Sequence, residues 1–407
     1  MKILHTADWH LGKRLDGHAR LPEQVEVLEE ICTIAEREEV DAVLIAGDIF
    51  DHFNPSTEAI ELLYKTLHRL CNGGKRLVFV IAGNHDSPER IEAPDPLARY
   101  NGIVMVGYPH TVVPPFELGS GMKLSKSAPG VAEFRLPDID YPLRIFHTSY
   151  ANEVRLKTYL GAEDEEAALR KVLKEKWEEQ VRAFGDDQGV NILVAHLLFM
   201  RRGKEVPEEP EDERPILHIG GASAIFSEDI PASIQYTALG HLHRKQTVDD
   251  RQGPVMYSGS PLSYSFAEAN QDKYVLLIEV EPGGEAQCTP LQLHSGKRLL
   301  RKRFESVPAA IQWLRQHPDT WVELTMVSEG YLTAQERKSL EAAHDGITVI
   351  IPEVLETEAR RQEEQSIRLT SDRETLFVQY FTHRHGQAPN EELLSLFREI
   401  TQNKPAL

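Results

Sequence analysis

The chain has 407 residues and a formal net charge of −19 at pH 7, from 45 basic and 64 acidic side chains. This excess of acid argues against a protein that grips DNA unaided, because duplex binding depends largely on lysine and arginine neutralising phosphates. No run of about eighteen apolar residues and no signal-peptide pattern occurs, so we expect a cytoplasmic protein with no membrane segment.

Strands and helices are predicted to alternate over the first 90 residues. Short apolar runs at 2–4, 42–45 and 77–81 predict buried strands, and apolar residues at helical spacing predict helices over 22–39 and 57–71. This order is a βαβαβ unit. Two of the three cysteines lie on the apolar faces of these helices, and the set is odd in number and widely spaced, so we expect reduced thiols (Cys32, Cys71 and Cys288).

The middle of the chain is less regular. Residues 108–141 are rich in Gly, Pro and Ser and predict loops and hairpins, whereas residues 160–183 have a strongly helical composition. Apolar runs at 191–194 and 234–239 predict two further strands. Between them, a Pro- and Glu-rich run that includes 205–213 predicts an exposed loop.

The pattern changes after Val280, where Glu281-Pro282-Gly283-Gly284 predicts a tight turn or a domain junction. Residues 291–355 then predict a small α/β sandwich. Its elements are a strand, a helix over 307–317, a strand over 321–327, a helix over 334–343 and a strand over 348–351.

Charged residues dominate 356–365, as in a solvated linker. Two amphipathic helices are predicted to close the chain, over 375–385 and 391–402. We therefore expect three parts, namely 1–280, 281–355 and 356–407.

Residue types that bind metals directly follow the predicted strands. The set is Asp8, His10, Asp48, Asn84, His85, His196, His241 and His243. Ligands bind beyond the carboxyl ends of strands in open α/β sheets, because loops there aim side chains inward from a rigid scaffold. Five strand ends can therefore converge on one site, and an accidental placement of the whole set is improbable.

The ligand types narrow the chemistry of this site. Carboxylate, imidazole and amide groups, with no thiolate among them, suit manganese, iron or zinc. Asp48 is the natural bridge between two ions, since its two oxygens can each hold one. Two ions about 3.5–4 Å apart form the usual clamp for in-line displacement at phosphorus, where one activates water and both spread the phosphoryl charge. The set therefore predicts phosphoester hydrolysis.

Neighbouring polar residues have less specific interpretations. A lone histidine at a strand end, such as His5 or His147, is more often a hydrogen-bonded structural residue. Asp51 and His52 are better placed to cap a loop or to support a ligand than to bind metal. Asp86 either orients the His85 ring or is a solvent-facing carboxylate of the turn.

The order Asp-x-His, Gly-Asp-x-x-Asp, Gly-Asn-His-Asp, a single His and Gly-His-x-His resembles the pattern of the calcineurin-like metallophosphoesterases. The fuller wording at 5–12, 46–51, 82–87 and 257–261 is similar to that of the nuclease subunits of bacterial SbcCD complexes. This resemblance is firm from residue 1 to about 280. Beyond that it rests on the layout of the predicted elements and on the length of the chain. It implies an α/β fold in which helices flank a β-sandwich, with a small α/β capping domain and C-terminal helices.

The resemblance implies a role for each matching residue. One divalent ion would be held by Asp8, His10, Asp48 and His243, and a second by Asp48, Asn84, His196 and His241. His85 would bind neither ion. As the catalytic residue it would contact the scissile phosphate and assist departure of the leaving oxygen, as an imidazole donor can. Manganese is the implied metal, although the ligand types alone also permit iron, cobalt or zinc.

The resemblance also implies a substrate and partners. The chain would be a 3′ to 5′ exonuclease on double-stranded DNA ends and an endonuclease on single strands and hairpins, in DNA end processing, replication and recombination near the nucleoid. Residues 281–355 would cap the active-site cleft and help to choose the DNA structure admitted. The chain would form a dimer within a heterotetramer with two copies of the ATPase subunit SbcC. No phosphate-cradling Walker loop occurs in this sequence, so control by ATP would come from SbcC.

Several alternatives stay open at this point. The same metal scaffold serves phosphomonoesterases and cyclic-nucleotide phosphodiesterases, although the capping module and the terminal helices are surplus to that task. A non-catalytic assembly subunit is a third possibility, against which the intact ligand set argues. The terminal helices dock on SbcC or pack on their own chain. The basic clusters at 201–204 and 297–303 are either DNA contacts or solvated faces.

Overall fold

The computed structural model describes residues 1–157, 165–204, 224–328, 332–355 and 373–385, with 389, 391, 393–394 and 397–398. It divides into two compact units. The larger consists of Met1–Lys302, His317–Glu323 and Gly346–Val349, and the smaller of Arg303–Gln316, Leu324–Asp345 and Ile350–Leu407. Within the described ranges, no helix is long and apolar enough to cross a membrane.

The first sheet of the larger unit has six strands. In spatial order they are β17 (Gln287–Leu293), β16 (Lys273–Glu279), β1 (Lys2–Thr6), β4 (Ala42–Ala46), β5 (Leu77–Ile81) and β6 (Ile103–Val106). Strands β1, β4, β5 and β6 run parallel to one another, whereas β16 is antiparallel to β1 and β17 is antiparallel to β16. The predicted βαβαβ unit at the N-terminus is therefore present.

Strand β17 continues the first sheet beyond the expected boundary at residue 280. It pairs with β16 along its whole length, from Gln287 opposite Glu279 to Leu293 opposite Lys273. The turn predicted after Val280 forms, with the amide of Gly284 donating to the carbonyl of Glu281 over 3.0 Å. It closes a β-hairpin within the first sheet rather than separating two domains, so that sheet extends to Leu293.

The second sheet has seven strands. In spatial order they are β14 (Gln246–Asp249), β15 (Val255–Tyr257), β13 (Tyr236–Gly240), β10 (Val190–His196), β9 (Leu143–Thr148), β8 (Val131–Arg135) and β7 (Lys123–Ala128). The central strands β15, β13, β10 and β9 run parallel, and the outer strands are antiparallel. Strands β7 and β8 form a hairpin within the region where hairpins were predicted. Two small ladders join β2 (Arg14–Leu15) to β3 (His18–Ala19) and β11 (Phe199–Met200) to β12 (Ile225–Phe226).

The two sheets pack face to face with helices on their outer sides. Alternation along β1 shows the layering, since Ile3 belongs to the core between the sheets and Leu4 to the core under the helices. The outer face of the first sheet is covered by α1 (Leu21–Arg37) and α2 (Thr57–Leu70), and that of the second by α6 (Glu165–Phe184). Three short helices complete this unit, namely α3 (Pro88–Glu92), α4 (Asp95–Ala98) and α5 (Glu153–Leu156). The flanked β-sandwich expected from the sequence is confirmed.

The elements after residue 297 follow the predicted order. A three-stranded sheet contains β18 (Arg298–Phe304), β19 (Thr320–Ser328) and β20 (Ile347–Val354), with α7 (Val307–Gln316) and α8 (Ala334–Glu341) between them in sequence. The first predicted terminal helix is present as α9 (Arg373–His385). The loop at 205–213, the linker at 356–365 and most of the helix at 391–402 lie outside the described residues.

Candidate metal centre

The predicted ligands lie together at one edge of the sandwich. Three parallel strands of the first sheet supply Asp8 and His10 after β1, Asp48 after β4, and Asn84 and His85 after β5. Two parallel strands of the second sheet supply His196 at the end of β10 and His241 and His243 after β13. We expected these strand ends to converge at the edge of one open sheet, but they converge between two facing sheets. The candidate metal-binding side chains are all buried.

One group of side chains surrounds Asn84. The Nε2 atom of His196 lies 2.9 Å from Asn84 Oδ1 and 3.3 Å from Asp48 Oδ2, and His241 Nδ1 lies 3.1 Å from the same Asn84 oxygen. The other nitrogen of His196, Nδ1, is 2.8 Å from the carbonyl of Ala46. Because a carbonyl accepts, the proton of a neutral ring resides on Nδ1 and Nε2 presents a lone pair. In this neutral form the lone pairs of His196, Asn84 and Asp48 face one another, an arrangement that a cation between them would stabilise.

A second group surrounds His10. Its Nε2 atom lies 2.9 Å from His243 Nε2 and 3.6 Å from Asp48 Oδ2. Asp8, His10 and Asp48 offer ligand atoms that all lie within 4.8 Å of one another. Asp8 Oδ1 accepts the amide of His241 over 2.9 Å, while the buried Oδ2 has no hydrogen-bond partner in the described part of the chain. A buried carboxylate oxygen without a donor is costly, and a bound cation would satisfy it.

Asp48 lies between the two groups, and one of its two oxygens faces both of them. The expectation from the sequence was one carboxylate oxygen for each ion. Here Oδ2 alone faces both His10 and His196, at 3.6 Å and 3.3 Å. The backbone amide of His85 donates to Oδ1 over 2.8 Å, so that oxygen is already engaged. Asp48 Oδ2 is therefore the carboxylate oxygen that faces both groups, and Asp48 would contribute to holding an ion in each.

Backbone strain accompanies this arrangement. Asp8, His10, Asp48 and His241 have φ angles of 55°, 43°, 47° and 109°, in the left-handed region that side chains with a Cβ rarely adopt. Each such residue costs on the order of 1–3 kcal/mol and persists only where the surrounding structure holds it. The hydrophobic cores beneath the loops keep the backbone in this conformation. The strained backbone in turn directs the side chains into the site.

Glycines next to the ligands permit the close approach of the loops. A Cβ at position 83 would lie 2.1 Å from Asp48 Oδ1, and one at position 240 would lie 1.8 Å from the carbonyl oxygen of Ala46. Neither contact is sterically possible. The glycines of the Gly83-Asn84-His85 and Gly240-His241 motifs are therefore required for space.

The electrostatics of the site favour protons or metal ions. The pKa of Asp8 is raised to about 8, chiefly by burial; His196 opposes this rise and the neighbouring Asp48 carboxylate adds to it. Burial lowers the pKa of His196, but the carboxylates of Asp48 and Asp8 outweigh this and raise it to about 9. Burial lowers the pKa of His10 well below its usual value. The ion-free site thus holds protons on Asp8 and His196 near neutral pH, and cations would displace them.

His85 differs from the other residues of the set because it is partly exposed. Its Nδ1 lies 2.9 Å from the carbonyl oxygen of Asp51, and its ring meets that of His10 edge-on with the centroids 4.9 Å apart. With the Nδ1 proton donated to Asp51, Nε2 is the nitrogen available to a ligand.

Both sequence interpretations of Asp86 are wrong. The side chain neither faces solvent nor orients the His85 ring, because it is fully buried and accepts three backbone amides. These come from Gly83 at 2.8 Å, Ile49 at 3.0 Å and Phe50 at 2.9 Å. Asp86 therefore ties the turn after β5 to the loop after β4, which carries Asp48.

An ion pair beside His243 was not predicted from the sequence. The carboxylate of Glu268 lies 3.5 Å from His243 Nδ1 and forms a buried ion pair with Lys273, whose ammonium donates to the carbonyl of His243 over 3.0 Å. A carboxylate behind a metal-binding histidine fixes the ring and the position of its proton. The Ser265-x-x-Glu268 pattern of a capping box was the available signal, and the amide of Ser265 donates to Glu268 Oε1 over 3.2 Å.

The remaining histidines and acids near the motifs have supporting positions. His5 bonds Tyr236 Oη at 2.9 Å and the carbonyl of Leu239 at 3.1 Å, as expected of a structural histidine. His147 is buried too, but neither of its nitrogens has a hydrogen bond to any described residue, contrary to expectation. Asp51 Oδ1 lies 3.7 Å from His10 Nδ1, which places the carboxylate beside that ring but beyond hydrogen-bond distance.

The fold and the site define the class of protein. A family model described as calcineurin-like phosphoesterase matches residues 1–244. The chain belongs to this family, as its motifs predicted, and the family is metal-dependent.

Curated relatives define the branch within that family. A protein of Bacillus subtilis (strain 168), named as the SbcD subunit of nuclease SbcCD, is 36% identical over 407 residues, covering 98% of this chain and 97% of that protein. Proteins of the same name from Rhodobacter capsulatus and Escherichia coli (strain K12) are 34% and 28% identical, covering 72% and 92% of this chain and 69% and 89% of their own length. The chain belongs to the SbcD family of SbcCD nuclease subunits.

Proposed function

We propose that this chain is the metal-dependent nuclease subunit of an SbcCD-type complex and hydrolyses phosphodiester bonds in DNA. The observation that carries the proposal is the convergence of buried lone pairs on either side of Asp48 Oδ2, in a chain related to nuclease subunits along nearly its whole length. A phosphomonoesterase or cyclic-nucleotide phosphodiesterase is not favoured, because the relationship extends through residues 281–407, which such an enzyme does not need. The proposed site of action is DNA of the nucleoid, in the cytoplasm.

Two divalent ions, most suitably manganese, are the proposed cofactors. The group of Asp8, His10, Asp48 and His243 would hold one, and the group of Asp48, Asn84, His196 and His241 the other. Oxygen and imidazole nitrogen donors of this kind suit manganese. When bound, the ions supply activation of water and a positive clamp on the phosphoryl oxygens.

The residues of the chain supply orientation and a proton. The carbonyl of Asp51 accepts from His85 Nδ1, which fixes the ring and leaves Nε2 to meet the departing oxygen. A protonated His85 can donate from Nε2 while Nδ1 keeps its bond to Asp51, so the leaving oxygen departs without a full negative charge. The amide of His85 also holds Asp48, which couples the proton donor to the shared carboxylate.

The terminal helices are the proposed docking site for SbcC. Phe377 of α9 stacks on Phe397, with the ring centroids 4.2 Å apart, so the two terminal segments pack on each other. Part of the apolar surface of the terminal segments is therefore buried within the chain, which is the alternative to docking on SbcC. Tyr380 and Leu393 are nevertheless 57% and 37% exposed. A coiled coil of SbcC could cover these side chains in the manner of helix-in-groove recognition.

We also propose that two copies of the chain associate within the complex. The exposed segment at 95–101 carries Leu97 and Tyr100, whose exposures are 79% and 72%. A contact between copies would remove these apolar side chains from water. Sedimentation of the purified chain, compared with a Leu97→Glu, Tyr100→Glu variant, would detect a dimer that depends on them.

We further propose that residues 281–355 help to select the DNA structures admitted to the site. The basic cluster at 297–303 is partly neutralised, because Arg301 pairs with Glu323 at 2.7 Å and Arg303 with Glu353 at 2.7 Å. Arg202 of the other cluster lies 3.4 Å from Asp229. These pairs favour solvated faces over DNA contacts at these three arginines, so much of the DNA affinity would come from SbcC.

The test of substrate class is manganese-dependent cleavage of a blunt, end-labelled duplex and of a small chromogenic phosphodiester, with and without SbcC and ATP. We expect duplex degradation that rises with SbcC and ATP. Hydrolysis of the small ester alone, with DNA untouched in the presence of SbcC, would contradict the proposal and favour a small-substrate phosphoesterase.

A further inference from the structure

The turn that carries Asn84 and His85 is held at both ends by one arginine from a distant part of the chain. Arg155 belongs to α5 and is buried. One of its terminal nitrogens donates to the carbonyl of Gly83 over 2.7 Å and the other to the carbonyl of Asp86 over 2.8 Å. The guanidinium therefore spans the turn across the two residues that face the metal centre.

The segment around Arg155 is itself attached to the same loop. The amide of Tyr150 donates to the carbonyl of Ala82 over 2.9 Å, and the guanidinium of Arg155 lies over the Tyr150 ring at 5.0 Å from its centroid. Asn152 caps α5 by accepting the amide of Arg155 over 2.9 Å. These contacts fix both the backbone of Arg155 and the part of its side chain that extends toward the turn.

Arg155 and Asp86 bind opposite kinds of backbone group in the same turn: Asp86 accepts from an amide, and Arg155 donates to carbonyls. Asp86 accepts the amide of Gly83, whereas Arg155 donates to the carbonyl of Gly83 and to that of Asp86. A planar guanidinium can make two such bonds at once, whereas the point charge of a lysine cannot reproduce the fork. With its buried carbonyls satisfied in this way, the turn has one preferred position.

We propose that Arg155 is a positioning residue for His85, and that its two bonds keep the His85 ring at the phosphate during the reaction. This inference rests on the proposed function of His85. Arg155 lies behind the turn and touches neither Asp48 nor the ring of His85 through any hydrogen bond of the described structure. Its loss is therefore expected to lower turnover more than metal binding or substrate affinity.

The experiment compares three variants of the full chain with wild type, using manganese and the chromogenic phosphodiester. Arg155→Met removes both bonds at similar side-chain length, and Arg155→Lys keeps the charge but can bond one carbonyl at a time. Arg76→Met is the matched control. Arg76 is also buried and donates to three carbonyls, of Val40 at 2.8 Å, Leu70 at 3.0 Å and Ala35 at 3.0 Å, but it precedes β5 whereas the site follows that strand. For each variant kcat, KM, bound manganese by calorimetry and the unfolding temperature are measured.

We expect Arg155→Met to bind manganese in wild-type stoichiometry and to lose roughly tenfold to hundredfold in kcat with little change in KM, as when supporting partners of a site are removed. Arg155→Lys should recover part of that loss. Arg76→Met should unfold at a lower temperature and keep its kcat. A wild-type kcat in Arg155→Met, an equal loss of kcat in Arg76→Met, or no recovery in Arg155→Lys would overturn the inference while leaving the proposed function intact.

Failure of the proposed function has a different signature. If wild-type chain with bound manganese cleaves neither the small ester nor DNA in the presence of SbcC and ATP, the proposed function is overturned, and this inference is overturned with it.

Discussion

His10 Nε2 and His243 Nε2 lie 2.9 Å apart, although 233 positions separate the two residues in the sequence. The other nitrogen of each ring faces a carboxylate, since His10 Nδ1 is 3.7 Å from Asp51 and His243 Nδ1 is 3.5 Å from Glu268. Burial lowers the pKa of both rings, so they are neutral near pH 7. With a cation between them, each Nε2 would present its lone pair and each Nδ1 would carry the proton on the side of its carboxylate.

Asp48→Ala is predicted to lose both ions. Asp48 Oδ2 faces both ligand groups, so its removal weakens each of them rather than one. Manganese titration by calorimetry should show no high-affinity binding, and the chain should be inactive. Asp249→Asn is a suitable control, because Asp249 is engaged by Arg251 and Ser227 away from the site. Retention of one tightly bound ion in Asp48→Ala would show that the carboxylate is not shared.

Metal binding is predicted to release protons and to strengthen as pH rises. The pKa of Asp8 is raised to about 8 and that of His196 to about 9, so both hold a proton at pH 7 in the ion-free chain. Each must lose it to bind a cation, which gives on the order of two protons released per chain. Calorimetry in buffers of different ionisation enthalpy measures this number. Affinity that is constant between pH 6.5 and 8.5, without proton release, would contradict the prediction.

The stability of the ion-free chain should fall as pH rises from 7 to 9. The pKa of Asp8 and that of His196 are both raised in the folded state, so the folded chain holds protons that the unfolded chain has already lost, and stability falls with pH. Bound manganese replaces those protons and should remove this dependence. Urea unfolding at pH 7 and pH 9, with and without manganese, tests the sign. Greater stability of the ion-free chain at pH 9 would contradict it.

Gly83→Ala is predicted to abolish activity because the added Cβ would displace the Asp48 carboxylate, which it would approach to 2.1 Å. Gly119→Ala is the matched control, since nothing lies within 4 Å of a Cβ at that position. Phosphodiester hydrolysis should be lost in the first variant and unchanged in the second. Full activity in Gly83→Ala would mean that the two loops can separate without cost.

Charges on the exposed side of the terminal helices are predicted to break the complex without affecting the metal centre. Tyr380→Asp and Leu393→Asp should each lose co-elution with SbcC in gel filtration and keep hydrolysis of the small ester. Val349→Asp, at an apolar residue of comparable exposure to Leu393, should retain SbcC. If a variant with both substitutions still co-elutes with SbcC as the wild type does, the SbcC contact lies elsewhere.

Much of the site was predictable because its residues follow local patterns. Five of the apolar runs that predicted strands are followed within a few residues by a candidate metal-binding residue, and parallel strands bring such ends together. The facing of two sheets was not available from those local patterns. Arg155 was also missed, since nothing in the residues around it marks a contact with the Gly83 and Asp86 carbonyls about seventy positions away.

Long-range pairing likewise explains the other differences. The turn after Val280 was predicted, but whether it closes a hairpin or joins two domains depends on the pairing of β16 with β17, which the turn residues alone do not specify. The role of Asp86 depends on the amides of Ile49 and Phe50, which belong to a different loop and which the turn motif does not specify. Glu268 was part of a recognisable capping box, but its contact with His243 depends on the tertiary fold.

The most direct test of the account is a single-turnover measurement of manganese-dependent duplex cleavage by the chain with SbcC and ATP, comparing wild type with His85→Ala while counting bound manganese. We predict the same number of ions in both proteins and a loss of about 10²–10⁴-fold in the cleavage rate of the variant, the range expected for a missing proton donor. Cleavage at the wild-type rate, or loss of metal in proportion to activity, would contradict the account.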